Sequence, residues 1–371
     1  MKVQAILVNY HCASLTCGAA HSLANEPDLQ LDVVDNSVSK TQQAQLRMSL
    51  PRNARLLAPA ENLGFGRACN LAFESSNSEF VLLLNPDARL LPGALGTMLS
   101  TLRNAPDLAA VGPRVYWDDS KRFMMPLSTF PSRAWFLRSC LTERALPFWT
   151  TLAARSFRRT ALAAWQASRP FTVDALSGGH VLLRRNAVTR AGGLFDPDYF
   201  MYWEDSDLMY RLKAAGYRLA QDPRAEALHL YSHSPAKDAM MHAGWATYAR
   251  KHFDGAFWKL LANIKHIAGG RTRAPAHVQP LAWTSEDIEL GIPETFKRWL
   301  LEISPSPDFV PAIGCLGTDR TVAIPAALLG LFSGCEVFFR LSPASPQMTH
   351  PIIWALKVPA AAGNALPIEH A

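Results

Sequence analysis

The stretch Phe80-Val81-Leu82-Leu83-Leu84-Asn85-Pro86-Asp87-Ala88 is an unbroken apolar run that stops at a polar turn. A run of this length, bounded by turn residues, is the pattern of a strand buried on both faces. The pattern recurs upstream. Residues 3–8 run into Asn9-Tyr10, and residues 31–34 run into Asp35-Asn36-Ser37. Between these runs, residues 14–25, 41–50 and 66–75 have helical spacing, with Ser14 as an N-cap, and residues 54–57 are strand-like. A helix with Pro92 near its first turn and a strand over 109–115 close the series. Strands alternating with helices predict an α/β fold with a mostly parallel central sheet, covered on both faces. Ligands of such sheets sit at the C-terminal ends of the strands. The three polar turns fall there, so they are candidates to share one cleft as well as simple turn formers.

A second polar cluster lies more than a hundred residues on, in Phe200-Met201-Tyr202-Trp203-Glu204-Asp205-Ser206-Asp207. Glu204-Asp205 opens a helix that Gly216 ends, and the helix dipole stabilises acids at such a start. Three acids in four positions repel one another, and an aromatic wall beside a carboxylate raises its pKa. Asp205 is read as a general base, with Glu204 and Asp207 as substrate-contacting or structural groups. Asp87 offers one hard oxygen to Mg²⁺ or Mn²⁺, or caps the helix that follows. His229 and His233 reach toward a metal or a diphosphate, or are buried structural histidines. Asn62-Leu63-Gly64-Phe65-Gly66-Arg67-Ala68-Cys69 contains Gly-x-Gly, but Cys69 stands at the third position of a dinucleotide fingerprint. What remains of that motif is a loop entering a helix, whose free N–H groups favour an anion.

Composition narrows the class. Six cysteines among 371 residues include no Cys-x-x-Cys pair, which argues against a zinc ribbon or disulfide framework and fits a reducing cytoplasm. The apolar start is broken by Asn9, Tyr10 and His11, too early for a signal peptide. Residues 321–335 are uncharged but too short for a membrane span. Of the net +6, a local +10 lies in residues 121–190, with twelve Lys/Arg against Glu143 and Asp174. Such a local excess points to an anionic partner at one surface, with Arg155, Arg158 and Arg159 as its centre. Late strands are expected over 181–183, 217–220, 227–231 and 336–341, and helices over 186–191, 235–252 and 294–303, with an apolar helix or strand–helix pair over 322–332. Twelve of the 26 prolines lie after residue 270. The expected domains are 1–268, carrying an acceptor- or membrane-facing insert at 121–170, a linker at 269–280, and an unassigned C-terminal region at 281–371.

In order along residues 1–265, these motifs resemble the family 2 glycosyltransferases, in their rhamnosyltransferase-like branch. The matching pieces are Val8-Asn9-Tyr10, Val34-Asp35-Asn36-Ser37, Asn62-Leu63-Gly64-Phe65-Gly66, Leu84-Asn85-Pro86-Asp87-Ala88, Ser177-Gly178-Gly179, Gly192-Gly193-Leu194-Phe195-Asp196 and Phe200 to Asp207. The resemblance implies a GT-A-like fold, a nucleotide-diphosphate sugar donor, most simply dTDP-L-rhamnose, and a glycan or lipid-linked acceptor. It implies that Asn9, Asp35, Asn36, Asn62, Gly64, Gly66 and Asn85 line the donor site, with Asp35 on the base. Asp87 is then the last acid of an Asp-x-Asp-like metal motif whose first acid is Asn85 here, and His229 is a second candidate ligand. Asp205 and Glu204 are the catalytic carboxyls, while Trp203, Asp207, Gly178 and Gly179 face the acceptor. Thr295-Phe296-Lys297-Arg298-Trp299 lacks the Gln of the processive Gln-x-x-Arg-Trp motif, so a non-processive, inverting enzyme is expected. Its expected place is the inner face of the cytoplasmic membrane, against anionic lipid and with no nucleic-acid partner. The alternatives are a sugar-nucleotide nucleotidyltransferase, for which Asn9-Tyr10-His11-Cys12 is a poor triphosphate loop, and a non-catalytic scaffold for the C-terminal region.

Overall fold

The computed structural model describes residues 2–137, 147–230, 235–258, 277–347 and 350–360. His233 and most of the expected linker lie outside the described residues. The chain opens with β1 (Val3–Asn9), α1 (Ala13–His21), β2 (Leu29–Asp35), α2 (Lys40–Ser49), β3 (Ala54–Leu57), α3 (Phe65–Glu74) and β4 (Phe80–Leu84). All of β1 and β4 is buried, as continuous apolar runs require when helices cover both faces. Ser39 caps α2 by accepting from the Gln42 N–H at 3.4 Å. There follow β5 (Ala88–Leu90), α4 (Ala94–Asn104), β6 (Leu108–Tyr116), α5 (Pro147–Gln166), β7 (Phe171–Val173), β8 (His180–Arg184), α6 (Arg185–Arg190), α7 (Glu204–Ala214), β9 (Arg218–His229) and α8 (Pro235–His252).

The main sheet has the order β3-β2-β1-β4-β8-β6-β9-β5, with β7 also on β9. β3, β2, β1 and β4 are mutually parallel, while β8 inserts antiparallel between β4 and β6. The chain winds outward from β1 to β3 and returns on the other side of β1 as β4. That reversal is a topological switch point, where doubly wound sheets leave a crevice for ligands. Asn9, Asp35 and Asn85 sit at its rim, and register pairs Asn9 with Asp35 directly.

One element differs from its sequence reading for a clear reason. The two late strands expected over 217–220 and 227–231 are one twelve-residue strand, β9. The polar interruption Gln221-Asp222-Pro223-Arg224 does not break it. Asp222, fully buried, accepts from Thr101 Oγ1 at 2.6 Å and from the Arg224 guanidinium at 2.8 Å, and the pairing with β6 shifts register at Pro113/Arg114.

The C-terminal region adds β10 (Val278–Leu281), β11 (Ile288–Gly291), β12 (Trp299–Ser304), β13 (Ile313–Gly317), β14 (Thr321–Ile324), α9 (Ala326–Leu329), β15 (Glu336–Pro343) and β16 (Ile352–Lys357). They form a sheet in the order β10-β16-β15-β12-β13 and a separate β11-β14 pair. The helix expected over 294–303 is instead a turn at 294–298 that runs into β12, every residue of which is buried. An apolar run covered on both sides carries no period that separates helix from strand. β10 begins inside the expected linker.

This region packs on the first. Met124 bridges Tyr116 on one side and Gly314 on the other, exchanging N–H···O bonds of 2.7 and 2.9 Å with Gly314. Trp117 and Phe123 are fully buried in a cluster with Trp299, Leu301, Val322 and Phe339. α5 lies against the C-terminal sheet, with Trp165 packed beside Leu300 and donating to Met125 O at 3.0 Å. Arg158, read from sequence as surface charge, is 1% exposed. Its guanidinium is bonded to Glu302, to Ser342 Oγ at 2.8 Å and to the carbonyls of Pro343 and Ser345. Arg340 meets the same Glu302 through two bonds of 2.8 Å. The insert therefore turns one face to the C-terminal sheet, and only Arg155 and Arg159 of that trio are exposed. Among the described residues no helix is long and apolar enough to cross a membrane.

Glu302 is the acid between two buried arginines, so its removal leaves two uncompensated charges. Glu302→Ala is expected to destabilise the whole chain by about 3–5 kcal/mol in denaturant unfolding. A loss confined to the C-terminal strands, with unfolding of the main sheet unchanged, would show that the two regions are not one packed unit.

Candidate active site

At the ends of β1 and β2 the side chains build a fixed acceptor. Asn9 donates to Asp35 Oδ1 at 2.8 Å and accepts from Thr16 at 2.9 Å. Ser37 gives the same Asp35 oxygen its hydroxyl at 2.6 Å and its N–H at 3.2 Å. Asp35 Oδ2 is buried with no hydrogen-bond partner among the described residues. One oxygen is thus held by three donors, while the other keeps its acceptor capacity.

Asn36 and Asn62 are cross-links. Asn36 donates to Asn62 Oδ1 at 2.7 Å and accepts from the Leu63 N–H at 2.8 Å, and Asn62 Oδ1 also accepts from the Gly64 N–H at 2.9 Å. The Phe65 N–H donates to Phe200 O at 2.9 Å. The N–H groups of Leu63, Gly64 and Phe65 are therefore occupied inside the protein. What this loop carries is the segment before α7. Gly64 has φ +76° and lies so close to Phe200 that a Cβ there would stand 2.4 Å from its carbonyl oxygen. Gly66 lies against Phe195 and Tyr199. Tyr202 and Trp203, with φ of +65° and +71°, turn that segment into the helix.

The joint between the two halves of the site is Ser177-Gly178-Gly179. Gly178 donates its N–H to Asp205 Oδ2 at 3.1 Å, and Gly179 O accepts from the Asn85 N–H at 2.8 Å. A Cβ at Gly178 would stand 3.1 Å from Asp205 Cβ, and one at Gly179 would stand 2.7 Å from Asn85 Nδ2. The two glycines let the start of α7 and the end of β4 share one wall. Beyond Asn85, Asp87 meets His229 Nε2 at 3.3 Å, with 19% and 12% of the side chains exposed. The ring of His180 packs edge-on to His229 at 5.5 Å. Burial, aided by His229, pushes His180 down to about 3, so it is neutral. Among the described residues no three His, Cys, Asp or Glu side chains form a metal-holding group by themselves. The donor set at the strand end is one carboxylate and one imidazole, fit for a divalent ion that takes its other ligands from phosphate and water.

The three acids of α7 have three environments. Asp205, partly accessible, accepts from the Ser206 N–H at 2.6 Å as well as from Gly178. Burial raises its carboxyl, and these backbone donors pull it back. Glu204 is 6% exposed and pushed up to about 8, by burial first and by Asp205 second. Asp207, expected at the acceptor, is 2% exposed, with one oxygen on Arg211 at 2.7 Å and the other on His252 at 2.8 Å. Burial alone would raise it, but His252 and Arg211 hold it below the usual carboxylate range. Arg211 also donates to the carbonyls of Ala191, Gly193 and Leu194 at 2.7–2.9 Å, which ties α7 to the loop before it. Trp203 leans on α8, donating to Met241 O at 2.8 Å and packing on Trp245 at 4.8 Å and Tyr248 at 5.5 Å.

The sequence reading missed the part α8 plays. Trp245, Tyr248 and His252 fall on one helical face, three and four residues apart, and that spacing was the available signal. Lys251 adds bonds to Asp196 at 2.7 Å and Asp198 at 2.8 Å.

The family model described as "Glycosyltransferase like family 2" matches residues 26–255. The chain is 33% identical over 243 residues to an N-acetylglucosaminyl-diphospho-decaprenol L-rhamnosyltransferase of Mycobacterium tuberculosis (strain CDC 1551 / Oshkosh), covering 60% of this chain and 74% of that one. It is 35% identical over 100 residues to Rhamnosyltransferase WbbL of Escherichia coli (strain K12), covering 27% of this chain and 32% of that protein. Among solved structures, mannosyltransferase PcManGT from Pyrobaculum calidifontis, in complex with GDP-Man and Mn2+, overlays with a TM-score of 0.46 at 16% identity, covering 72% of this chain and 73% of that chain.

The ion pairs of Asp207 give a signed expectation. Its folded carboxyl lies below its unfolded value, so its contribution to stability is full above about pH 4 and is lost as pH falls further. Asp207→Asn is expected to lower the melting temperature at neutral pH and to flatten its fall in acid. A parallel acid fall in the variant would show that Asp207 is not the group being titrated.

Proposed function

This chain belongs to glycosyltransferase family 2, and from that premise we propose that it is an inverting, non-processive L-rhamnosyltransferase acting on a lipid-linked N-acetylglucosaminyl diphosphate or a related envelope glycan. Support for donor and acceptor comes from the L-rhamnosyltransferase of Mycobacterium tuberculosis, which matches over most of its length. The observation that carries the mechanism is the seating of Asp205. It is a carboxylate held by two backbone N–H groups, partly open, and joined through Gly178-Gly179 to the polar end of β4.

In this reading the unpartnered Oδ2 of Asp35 accepts the imide N–H of the thymine base, while Asn9 and Ser37 hold Oδ1 and so keep the carboxylate aimed. Asp87 and His229 would hold a divalent cation, Mg²⁺ or Mn²⁺, which when bound supplies positive charge to the departing diphosphate. Asn85, where the metal motif has its first acid, contributes a neutral side chain beside Gly179. Asp205 takes the proton of the acceptor hydroxyl. The new glycosidic C–O bond forms on the face of the anomeric carbon opposite the breaking C–O bond to phosphate, and dTDP leaves with that electron pair. General-base assistance of this kind contributes about 10²–10⁴-fold. Trp203, Gly178 and Gly179 form the acceptor side, and Asp207 braces α7. Family membership favours this reading over a nucleotidyltransferase.

The exposed Arg155 and Arg159 of α5 lie within the segment of +10 charge and suit an anionic membrane surface at the inner face, where the acceptor lipid resides. Each such residue near anionic lipid is worth about 1 kcal/mol.

Two variants divide the site. Asp205→Asn is expected to lower turnover by at least about 10²-fold with dTDP binding intact. Asp87→Ala is expected to abolish the Mn²⁺ dependence of dTDP binding in calorimetry. Wild-type turnover in the first would remove Asp205 as base, and an unchanged metal dependence in the second would place the ion elsewhere. For the membrane, Arg155→Glu with Arg159→Glu is expected to reduce sedimentation with phosphatidylglycerol vesicles while the fold is kept. Equal sedimentation would reject this face as the contact.

A further inference from the structure

Glu204 and Asp205 are consecutive and largely withdrawn from water, yet their surroundings differ. Asp205 accepts N–H donors from Gly178 at 3.1 Å and Ser206 at 2.6 Å, which suit a charged carboxylate. Glu204 Oε2 is buried with no hydrogen-bond partner among the described residues. The groups that face Glu204 are Gly66 and Cys69 of α3, Tyr199 of the preceding segment, and Asp205 on its own helix. None of these is a cation. The nearby cation Arg211 of α7 and the imidazole of His252 on α8 are both bonded to Asp207. Tyr248 of α8, which packs on His252, is neutral, because burial holds its hydroxyl far above the working range. The helix N-terminus favours an anion, and Asp205 already supplies one. Two adjacent carboxyls in such a setting do not both ionise.

We propose that Glu204 and Asp205 carry one proton between them, held on Glu204, and that Glu204 is a positioning residue whose neutral form leaves Asp205 as the single charged base. The inference rests on the reading of Asp205 as the base. Burial and the neighbouring Asp205 place the Glu204 carboxyl at about 8, so the pair keeps its proton at neutral pH. Above that, ionisation sets a second charge beside Asp205 at the packed start of α7, and the site is disabled.

Both consequences have a sign. Turnover falls by about tenfold per pH unit above pH 8 as the neutral fraction of Glu204 declines. Stability falls as pH rises from about 4.5 to 8 and then levels, because the folded chain retains a proton that the unfolded chain releases.

The test is turnover of dTDP-L-rhamnose with a short-chain diphospho-N-acetylglucosamine lipid across pH 6 to 10, with melting curves over pH 5 to 9. Wild type, Glu204→Gln and Asp205→Asn are compared. Glu204→Gln is expected to lose the alkaline fall in turnover, and its melting temperature is expected to lose the wild type's decline between pH 5 and 8. A Gln variant that keeps both the alkaline limb and the melting slope of wild type would overturn the proposal. Wild-type turnover in Asp205→Asn would instead retire Asp205 as base. The melting comparison would then decide the location of the proton by itself.

Discussion

The site depends on a stretch of chain without side chains. Gly178 and Gly179 lie where the start of α7 meets the end of β4, and both have a neighbour within close contact of where a Cβ would stand. A Cβ at Gly179 would overlap the Asn85 amide at 2.7 Å, and one at Gly178 would press on Asp205 Cβ at 3.1 Å. The absent methyl groups let backbone do the connecting. Gly178 N–H holds the Asp205 carboxylate, and Gly179 O holds the Asn85 N–H. The polar end of a parallel sheet and the acidic end of a helix, more than a hundred residues apart in sequence, thereby face one crevice.

Around that joint the protein separates three neighbouring acids by environment. Asp207 faces a guanidinium and an imidazole and serves as a brace, with Arg211 carrying the connection to the carbonyls of Ala191, Gly193 and Leu194. Asp205 faces backbone donors and keeps access to solvent. Glu204 faces apolar or neutral groups apart from Asp205. Helix position alone treats all three as equivalent first-turn acids, and only the tertiary neighbours distinguish them. The same reasoning applies to Asp35, whose two oxygens have opposite fates, and to Arg158, which a sequence view places on the surface.

The first half of the fold was legible because β1, β2 and β4 are apolar runs that end in polar turns, and buried parallel strands have no other way to end. The motifs at those ends were legible for the same reason. The rest was harder to read where polar residues are satisfied by distant partners. β9 contains Asp222, which is tolerable only because Thr101 and Arg224 bond it. β12 contains Glu302, which is tolerable only because Arg158 and Arg340 flank it, and those partners lie 144 and 38 residues away. The Leu63, Gly64 and Phe65 N–H groups before α3 are likewise taken by Asn36, Asn62 and Phe200, partners that the local sequence does not reveal. The packing of the C-terminal sheet on α5 left little trace in composition, since it is carried by single residues such as Met124 and Trp165.

If Asp205 works from one side of the anomeric carbon and the diphosphate departs on the other, the stereochemistry of the product is fixed. The most direct measurement is the one-bond carbon–hydrogen coupling at the anomeric carbon of the newly transferred sugar, compared with that of the nucleotide sugar consumed. The account predicts the opposite anomeric configuration in the product. Retention of the donor's configuration would contradict it, because retention requires a double displacement or a same-face reaction that this placement of Asp205 does not provide.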